Sequence, residues 1–327
     1  MEKLRASSTI LQGPRPVVGY MPPSQTLRRT GKKRGLHSEQ NALWLFLVPS
    51  GLLLSCVLLF PLGYGFYLSL FDYDLGSGVA NYVGLGNYTE LLQEGRFWQS
   101  LGRTVMIVLS AVAIEFCLGL AVAYGLYRLT RGARLLSIMM FLPHIITPVV
   151  AALFLKWLFM GRWGLIDATL IGLNIFPPDW LGDAQWARVT VILADVWKST
   201  PFMILVLYAG LNTIDQSHIE AAEIDGAGNW SLLFRVMLPQ LRAIVVFVLA
   251  IRIMDSFRFF DTIYVLTGGG PGTATETITL YTYALAFRLL AIGKASALGV
   301  ISLLVIAGMI AAMIALVHRG QEEARSE

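Results

Sequence analysis

The 327-residue sequence is 56% hydrophobic and only 14% charged, with a net charge of +4. Soluble globular chains carry about a quarter charged residues, so this composition excludes an ordinary soluble domain and indicates a chain that lies in lipid. The positive charge does not indicate a nucleic-acid partner, because eight of the 25 Lys and Arg residues lie in the first 39 positions.

The N-terminal segment, residues 1–38, has almost no hydrophobic periodicity, and we interpret it as a basic, disordered cytoplasmic tail. Contact of this tail with anionic lipid is a further hypothesis. It does not resemble a cleavable signal peptide, since the first apolar run begins too late and runs too long. We expect a transmembrane domain over 39–318 and a second short cytoplasmic tail over 319–327.

Six apolar runs approach or exceed the roughly 20 helical residues that a bilayer core requires. The predicted fold is therefore all-α, with six transmembrane helices. The third and fourth runs contain Pro148 and Pro201, and the fifth contains four charges. The predicted spans are 41–71, 104–127, 135–160, 189–211, 243–266 and 295–317.

The distribution of basic residues predicts the orientation of these spans. If both ends lie inside, the inner segments carry 15 Lys and Arg residues and the outer segments carry 6. We therefore predict a multi-pass protein of the cytoplasmic membrane with both termini in the cytoplasm. The outer segment 161–188 is rich in aromatic residues, which suits either interfacial anchoring or docking of an external partner.

Ionisable residues inside a span require a partner or a wet cavity. Glu115 in the second span is expected to pair with a basic residue on another helix. Four charges in the fifth span recur at every third position, so they could form a self-neutralising ladder or line a passage. These four residues are Arg252, Asp255, Arg258 and Asp261.

Aromatic and polar residues of spans four and five are candidates for lining a passage, because rings can pack against the apolar face of a solute and polar groups can bind its hydroxyls. The alternative is ordinary helix packing. The candidates are Trp197, Ser199, Asn212, Asp255, Phe257, Arg258, Phe260, Asp261 and Tyr264.

We predict no metal site, no cofactor and no enzymatic activity in the chain itself. The four histidines are scattered without metal-ligand spacing, and Cys56 and Cys117 lie in apolar runs. The glycine-rich run 268–272 lacks the Lys-Ser/Thr of a phosphate-binding loop, so the chain has no ATP site of its own.

An inner loop between spans four and five is predicted to form a helix, a tight turn and a second helix. Ser217 and Glu220 have the spacing of a capping box, which favours a helix over 217–225. Gly226 allows a left-handed turn that ends this helix. The second helix, Asn229–Leu238, is expected to end at Pro239.

This loop resembles the EAA motif of importer permeases, which reads Glu-Ala-Ala, three residues, Gly, nine residues, Ile, one residue, Leu-Pro. Only Val236 departs from it, where isoleucine is usual. Phe260-Asp261 and the run Thr267–Pro271 are similar to the carbohydrate branch. Over residues 40–317 the chain thus resembles the binding-protein-dependent ABC sugar permeases, the type I importer permeases.

The resemblance implies a coupling helix that sits in a cleft of an ATPase subunit. It also implies a second homologous permease, an ATPase dimer that holds ATP and Mg, an external solute-binding protein and a sugar substrate. The residues that would couple are Glu220, Ala221, Ala222, Asp225, Gly226, Leu238 and Pro239.

Three alternatives remain open. The same class of importer could carry glycerol phosphate or another polyol. A proton-coupled secondary transporter would explain the spans and Glu115, but it predicts internal repeats, which the sequence does not reveal. An intramembrane enzyme would require paired reactive groups, and His144 and Lys156 are too isolated to form such a pair.

Overall fold

The structure, a computed structural model, describes the backbone of residues 36–129, 131–161 and 163–326 and the side chains of 44–129, 131–161 and 163–315. Two units compose it, 1–57 and 58–327. The described part of the first unit consists of helix α1 (Leu36–Leu54) and the first residues of the π-helical segment Ser55–Leu59. The predicted tail 1–38 lies outside the described residues except for 36–38, which are helical.

The described residues of the second unit form helices, as predicted, together with one β-hairpin that begins at the last residue of the predicted first span. Strands β1 (Phe71–Asp74) and β2 (Val79–Tyr82) pair antiparallel. The helices are α2 (Phe60–Ser69), α3 (Gly86–Gln93), α4 (Gly95–Arg128), α5 (Ala133–Met140), α6 (Leu142–Ile145), α7 (Pro148–Leu158), α8 (Leu165–Gly172), α9 (Ala184–Leu211), α10 (Gln216–Ile224), α11 (Asn229–Ser231), α12 (Leu238–Gln240), α13 (Arg242–Phe257), α14 (Asp261–Leu266), α15 (Ile278–Tyr283) and α16 (Ile292–Ser326), with π-helical segments at Leu232–Met237 and Ala284–Arg288.

By length and composition, four helical stretches of the described chain could each cross a membrane, or up to six if two bent pairs each count as one span. The four agree with the predicted first, second, fourth and sixth spans. They are Trp44–Ser69, Gly95–Arg128, Ala184–Leu211 and Ile292–Ala315. The last helix continues to Ser326, so most of the predicted tail 319–327 is helical.

The predicted third span, 135–160, is not one straight helix. Ala133–Ile145 and Pro148–Leu158 meet at an angle of 89°. Proline disfavours helical backbone at the residue before it, and Thr147 is accordingly extended, with φ −58° and ψ 140°.

Residues 243–266, the predicted fifth span, do not form one continuous helix either. Helix α13 ends at Phe257, and α14 begins only at Asp261. In addition, α13 is bent by 77° from the preceding helical stretch, Asn229–Gln240. The apolar run that sequence analysis assigned to one span therefore contains two helices and a break.

Helices α4 and α9 approach each other closely at Gly119. A Cβ at this position would lie 2.9 Å from Met203 Cβ and 3.5 Å from the backbone nitrogen of Ile204. The absence of a side chain at Gly119 thus allows the two longest fully described spans to pack side by side.

Pro201 lies inside α9 without ending it, and the two halves of this helix belong to different hydrophobic clusters. Met203, Leu207 and Leu211 pack with α4 and the 219–241 loop, whereas Ala194 packs with α7 and α14. Proline has no N–H, so the helix lacks one backbone hydrogen bond where its halves meet.

Substitution of Gly119 by leucine should destabilise the folded protein by about 1–3 kcal/mol, because the α4–α9 contact has no space for it. Gly125 lies on the same helix, and no atom is within 4 Å of the point that a Cβ would occupy there, so Gly125→Leu is the matched control. Thermal unfolding midpoints in detergent measure the difference. Equal midpoints for the two variants would contradict the close packing at Gly119.

Candidate functional site

A buried salt bridge between a guanidinium group and a carboxylate connects α13 to α4. Arg252 Nε donates to Glu115 Oε2 at 2.8 Å, and its Nη2 donates to Glu115 Oε1 at 3.0 Å. Arg252 is 3% exposed and Glu115 is fully buried. The expectation that Glu115 pairs with a basic residue of another helix is thereby confirmed, and the geometry is the two-pronged one that carboxylates and guanidinium groups favour.

Arg252 also contacts a second carboxylate, on α9. Its Nη2 donates to Asp195 Oδ1 at 3.1 Å and to Ser256 Oγ at 2.8 Å. The hydroxyls of Ser256 and Ser199 donate to Asp195, at 2.7 and 3.1 Å. We call this group the Arg252 cluster, and it connects α4, α9 and α13. Its members are Glu115, Asp195, Ser199, Arg252 and Ser256.

The predicted charge ladder of the fifth span does not form. Arg252 Nη1 lies 3.9 Å from Asp255 Oδ2, but the principal partners of Arg252 are on other helices. Arg258 and Asp261 fall at the break between α13 and α14, where the regular three-residue spacing on one helix face is lost.

Several charged groups near the Arg252 cluster remain open to the surroundings. The Asp255 side chain is 51% exposed, one turn from Arg252, while Arg258 and Asp261 are also exposed. Lys198, half-buried at the middle of α9, is one turn from the buried Asp195. Exposed charged groups are unfavourable in hydrocarbon, so the surface formed by Lys198, Asp255, Arg258 and Asp261 must contact water or another protein. We call this surface the passage face.

Four aromatic rings extend the passage face beyond the break, two of them exposed (Tyr264 and Phe287) and two half-buried (Phe260 and Tyr283). Phe260 stacks on Tyr264 with ring centroids 5.3 Å apart, and Tyr283 contacts both at 5.1 and 5.3 Å. Phe287 continues the series, with its ring 5.0 Å from that of Tyr283. Phe260, Tyr283 and Phe287 line a cavity of about 440 Å³ together with Arg258.

The other predicted passage residues have different surroundings. Ser199 belongs to the Arg252 cluster, and Phe257 is 2% exposed, although it also borders the 440 Å³ cavity. Trp197 is 36% exposed and its ring lies 6.4 Å from that of Phe154. Asn212 donates to the carbonyl of Tyr208 at 2.6 Å, a local contact.

The inner loop begins with a helix capped differently from the prediction. Asp215, not Ser217, is the N-cap of α10, because its carboxylate accepts the backbone N–H of Ser217 at 2.9 Å. This hydrogen bond lowers the pKa of Asp215. Glu220 is therefore not part of a capping box, and its exposed side chain has no hydrogen bond or ion pair within the described residues.

Gly226 makes the left-handed turn that was predicted, with φ +80°. The backbone N–H of Gly226 donates to Glu223 O at 3.1 Å, and that of Ala227 donates to Ala222 O at 2.9 Å. These two bonds form a Schellman motif, which satisfies the last carbonyls of α10 and reverses the chain.

The loop has one face in the transmembrane core and one face open. Ile219 is 2% exposed and packs in the same cluster as Leu207 of α9. Ile224 and Trp230, in contrast, are 86% and 74% exposed. Ala222 is half-buried against the same cluster as Ile219. The open face thus presents Glu220, the small Ala221 and large apolar side chains, a surface suited to another protein.

Sequence reasoning missed Asp195 as the second carboxylate of the Arg252 cluster, and it missed Tyr283 and Phe287 in the aromatic series. Asp195 carried a signal, since it is a carboxylate inside a predicted span. The two rings carried none, because they come close to Tyr264 only through the fold of the segment after the glycine-rich run.

Residues 115–321 match the model of the family described as "Binding-protein-dependent transport system inner membrane component". A probable ABC transporter permease of Sinorhizobium fredii is 33% identical over 91% of this chain and 97% of its own length. The sulfoquinovosyl glycerol transport system permease of Agrobacterium fabrum is 34% identical over 79% and 84%. The trehalose transport system permease of Mycobacterium tuberculosis is 35% identical over 77% and 80%.

Among solved structures, a bacterial ABC transporter involved in the import of the acidic polysaccharide alginate is similar in fold. One of its chains superposes with a TM-score of 0.75 at 20% identity, covering 86% of this chain and 96% of that one.

Replacement of Arg252 by methionine should destabilise the protein by about 3–5 kcal/mol, because it leaves two buried carboxylates without their cation. Asp255→Asn on the same helix is the matched control, with an expected change within about 1 kcal/mol, since that pair is partly exposed. Reversible unfolding in mixed micelles measures both. A stable Arg252→Met variant would show that the cluster does not hold the three helices together.

Proposed function

The chain belongs to the family of binding-protein-dependent transport system inner membrane components, and from this membership we propose that it carries a sugar inward as one permease subunit of an ATP-driven importer. It is a multi-pass membrane protein, and we place it in the cytoplasmic membrane with both termini inside. A second, homologous permease would complete the passage, and an external solute-binding protein would deliver the sugar.

The observation that carries the proposal is the open face of the inner loop. The carboxylate of Glu220 projects from a helix that is fixed at both ends, by Asp215 and by the turn at Gly226. Ala221 beside it has no bulk to hold a partner away. We propose that this helix docks in an ATPase subunit, where a basic residue would pair with Glu220 and the apolar Ile224 and Trp230 would be covered.

The partner ATPase would hold ATP and Mg, and its closure would move the loop. The loop transmits this motion because Ile219 packs in one cluster with α4 and α9. Leu238 and Pro239 lie at the other end of the loop, next to the 77° bend that leads into α13. Motion of the loop would thus reach the helix that carries Arg252 and the passage face.

The substrate class is argued from the passage face. The passage face combines a carboxylate, Asp255, with cationic groups, with the exposed ring of Tyr264 and with the half-buried ring of Phe260. Carboxylates and guanidinium groups bind vicinal hydroxyls, and rings pack on the apolar face of a pyranose. A sugar fits this mixture, and a polyol phosphate or another anionic polyol is the second candidate, favoured by Lys198 and Arg258.

Reconstitution of the importer with its ATPase and binding protein tests the proposal. We expect ATP hydrolysis to rise when a neutral sugar of the correct size is added, and not with glycerol phosphate. Stimulation by the phosphate alone would replace the first candidate with the second. Failure of any ATPase to copurify with the chain would contradict the importer subunit itself.

The turn at Gly226 gives a sharper test of coupling. Gly226→Pro should abolish transport-stimulated ATP hydrolysis while membrane insertion is retained, because proline cannot adopt φ +80° and has no N–H for Glu223.

Gly228→Pro is the matched control for this turn. Gly228 has φ −71°, which proline accepts, and no atom lies within 4 Å of its missing Cβ. Hydrolysis rates of both variants in proteoliposomes measure the effect. Normal stimulation in Gly226→Pro would contradict the coupling role of the loop.

Asp255 tests the passage face. Asp255→Leu should raise the sugar concentration for half-maximal uptake about tenfold or more, because a hydrogen bond to a charged group is lost. Asp255→Asn should keep most of the affinity, since an amide still accepts and donates. Uptake into proteoliposomes over a range of sugar concentrations measures this, and an unchanged curve for Asp255→Leu would remove Asp255 from the passage.

A further inference from the structure

The segment between α7 and α9 has an unusual surface. It contains helix α8, Leu165–Gly172, and a non-helical stretch over 173–183 that includes Pro177 and Pro178. Of the neighbouring helices, α9 is long and apolar enough to cross a membrane, and α7 is one half of a bent pair that could form one span. A segment that connects two membrane spans starts and ends at the bilayer surface, and this limits how far it can extend into water.

Large apolar side chains of this segment are open to the surroundings. Phe176 is 95% exposed, Trp163 is 83% exposed and Leu173 is 65% exposed. Ile171 and Ile175 are more than half exposed and line an open groove of about 720 Å³ between α8 and the stretch that follows it. Side chains of this size rarely stay in water together unless another apolar phase covers them.

Within this segment, residues 163–178 expose no charged side chain. Residues 163–178 contain one ionisable side chain, Asp167, and it is 3% exposed. Its Oδ1 accepts the indole N–H of Trp180 at 2.9 Å. In the sequence this stretch is bounded by Arg162 on one side and by Asp179 and Asp183 on the other, beyond the two prolines.

These observations favour lipid over a protein partner. Protein docking surfaces combine an apolar centre with a polar rim that forms hydrogen bonds. The apolar residues here instead form a continuous, charge-free strip that includes a tryptophan, the residue typical of the membrane–water boundary. The β-hairpin turn provides a contrast within the same chain, since it carries Asp74 and Ser77.

We propose that residues 163–178 form an interfacial anchor that lies in the bilayer surface. The side chains of Trp163, Leu173 and Phe176 insert to the boundary of the acyl chains. Asp167 is withdrawn from this layer by its bond to Trp180, which leaves the lipid-facing side without charge. The anchor fixes the level of the outer end of α9 relative to the membrane.

Site-directed spin labelling of the assembled importer in lipid nanodiscs tests the anchor. Cys56 and Cys117 are free and exposed, so both are first replaced by serine. A nitroxide is then attached to Phe176→Cys or, in a second variant, to Leu173→Cys. We expect the label to be more accessible to oxygen than to an aqueous nickel chelate, at a depth of about 5–10 Å below the phosphates.

A label at Ser77→Cys in the hairpin turn is the matched control, and there the nickel chelate should have full access. Full access of the chelate to the label at both 173 and 176 would overturn the proposal. Immobilisation of these labels only after the solute-binding protein is added would also overturn it, because the strip would then be a protein docking site.

Discussion

The structure depends on one buried cation. Arg252 binds Glu115 of α4 and Asp195 of α9 from its own position on α13, so three helices share a single electrostatic centre. In a low-dielectric interior each of these charges would be strongly unfavourable alone, and together they are satisfied only in one relative placement of the helices. Packing between apolar helices in lipid gains little from the hydrophobic effect, so a polar centre of this kind specifies the arrangement.

The charges of the transmembrane region fall into two groups because of this centre. Glu115, Asp195 and Arg252 bind one another and are removed from the surroundings. Asp255 and Lys198, each one turn from a member of the cluster, are left accessible on the passage face. The buried group thus holds the exposed group at a defined depth, and this is how a rigid scaffold can present polar contacts to a passing solute.

Hydropathy located the four described helical stretches that could each cross a membrane, because a bilayer imposes a length that the sequence must satisfy. It did not locate the bends. The 89° break before Pro148 could have been anticipated from the proline, but the end of α13 at Phe257 has no such signal, and the expected ladder failed for that reason. Glu115 inside a span predicts a basic partner on another helix, but only the tertiary structure shows that this partner is Arg252.

In the inner loop the sequence predicted the turn correctly, because the backbone conformation of that turn strongly favours one residue type. Only glycine adopts the φ of +80° at position 226 readily, so the turn followed from the sequence. The first residue of α10 could not be predicted, because Asp215 and Ser217 are both favourable N-cap residues two positions apart, and the local sequence does not distinguish between them. Proximity of Tyr283 to Tyr264 required the tertiary structure.

The proline in α9 has a mechanical consequence. C-terminal to Pro201, α9 packs with the inner loop through Met203 and Leu207. N-terminal to Pro201, it packs with α7 and α14 through Ala194. The ring of His144, on the bent stretch before α7, contacts the carbonyl of Lys198 beside this joint, at 3.1 Å. The backbone hydrogen bond that Pro201 removes therefore lies between these two clusters, and bending of α9 at this point would move its C-terminal part together with the inner loop while Ala194 keeps its contacts.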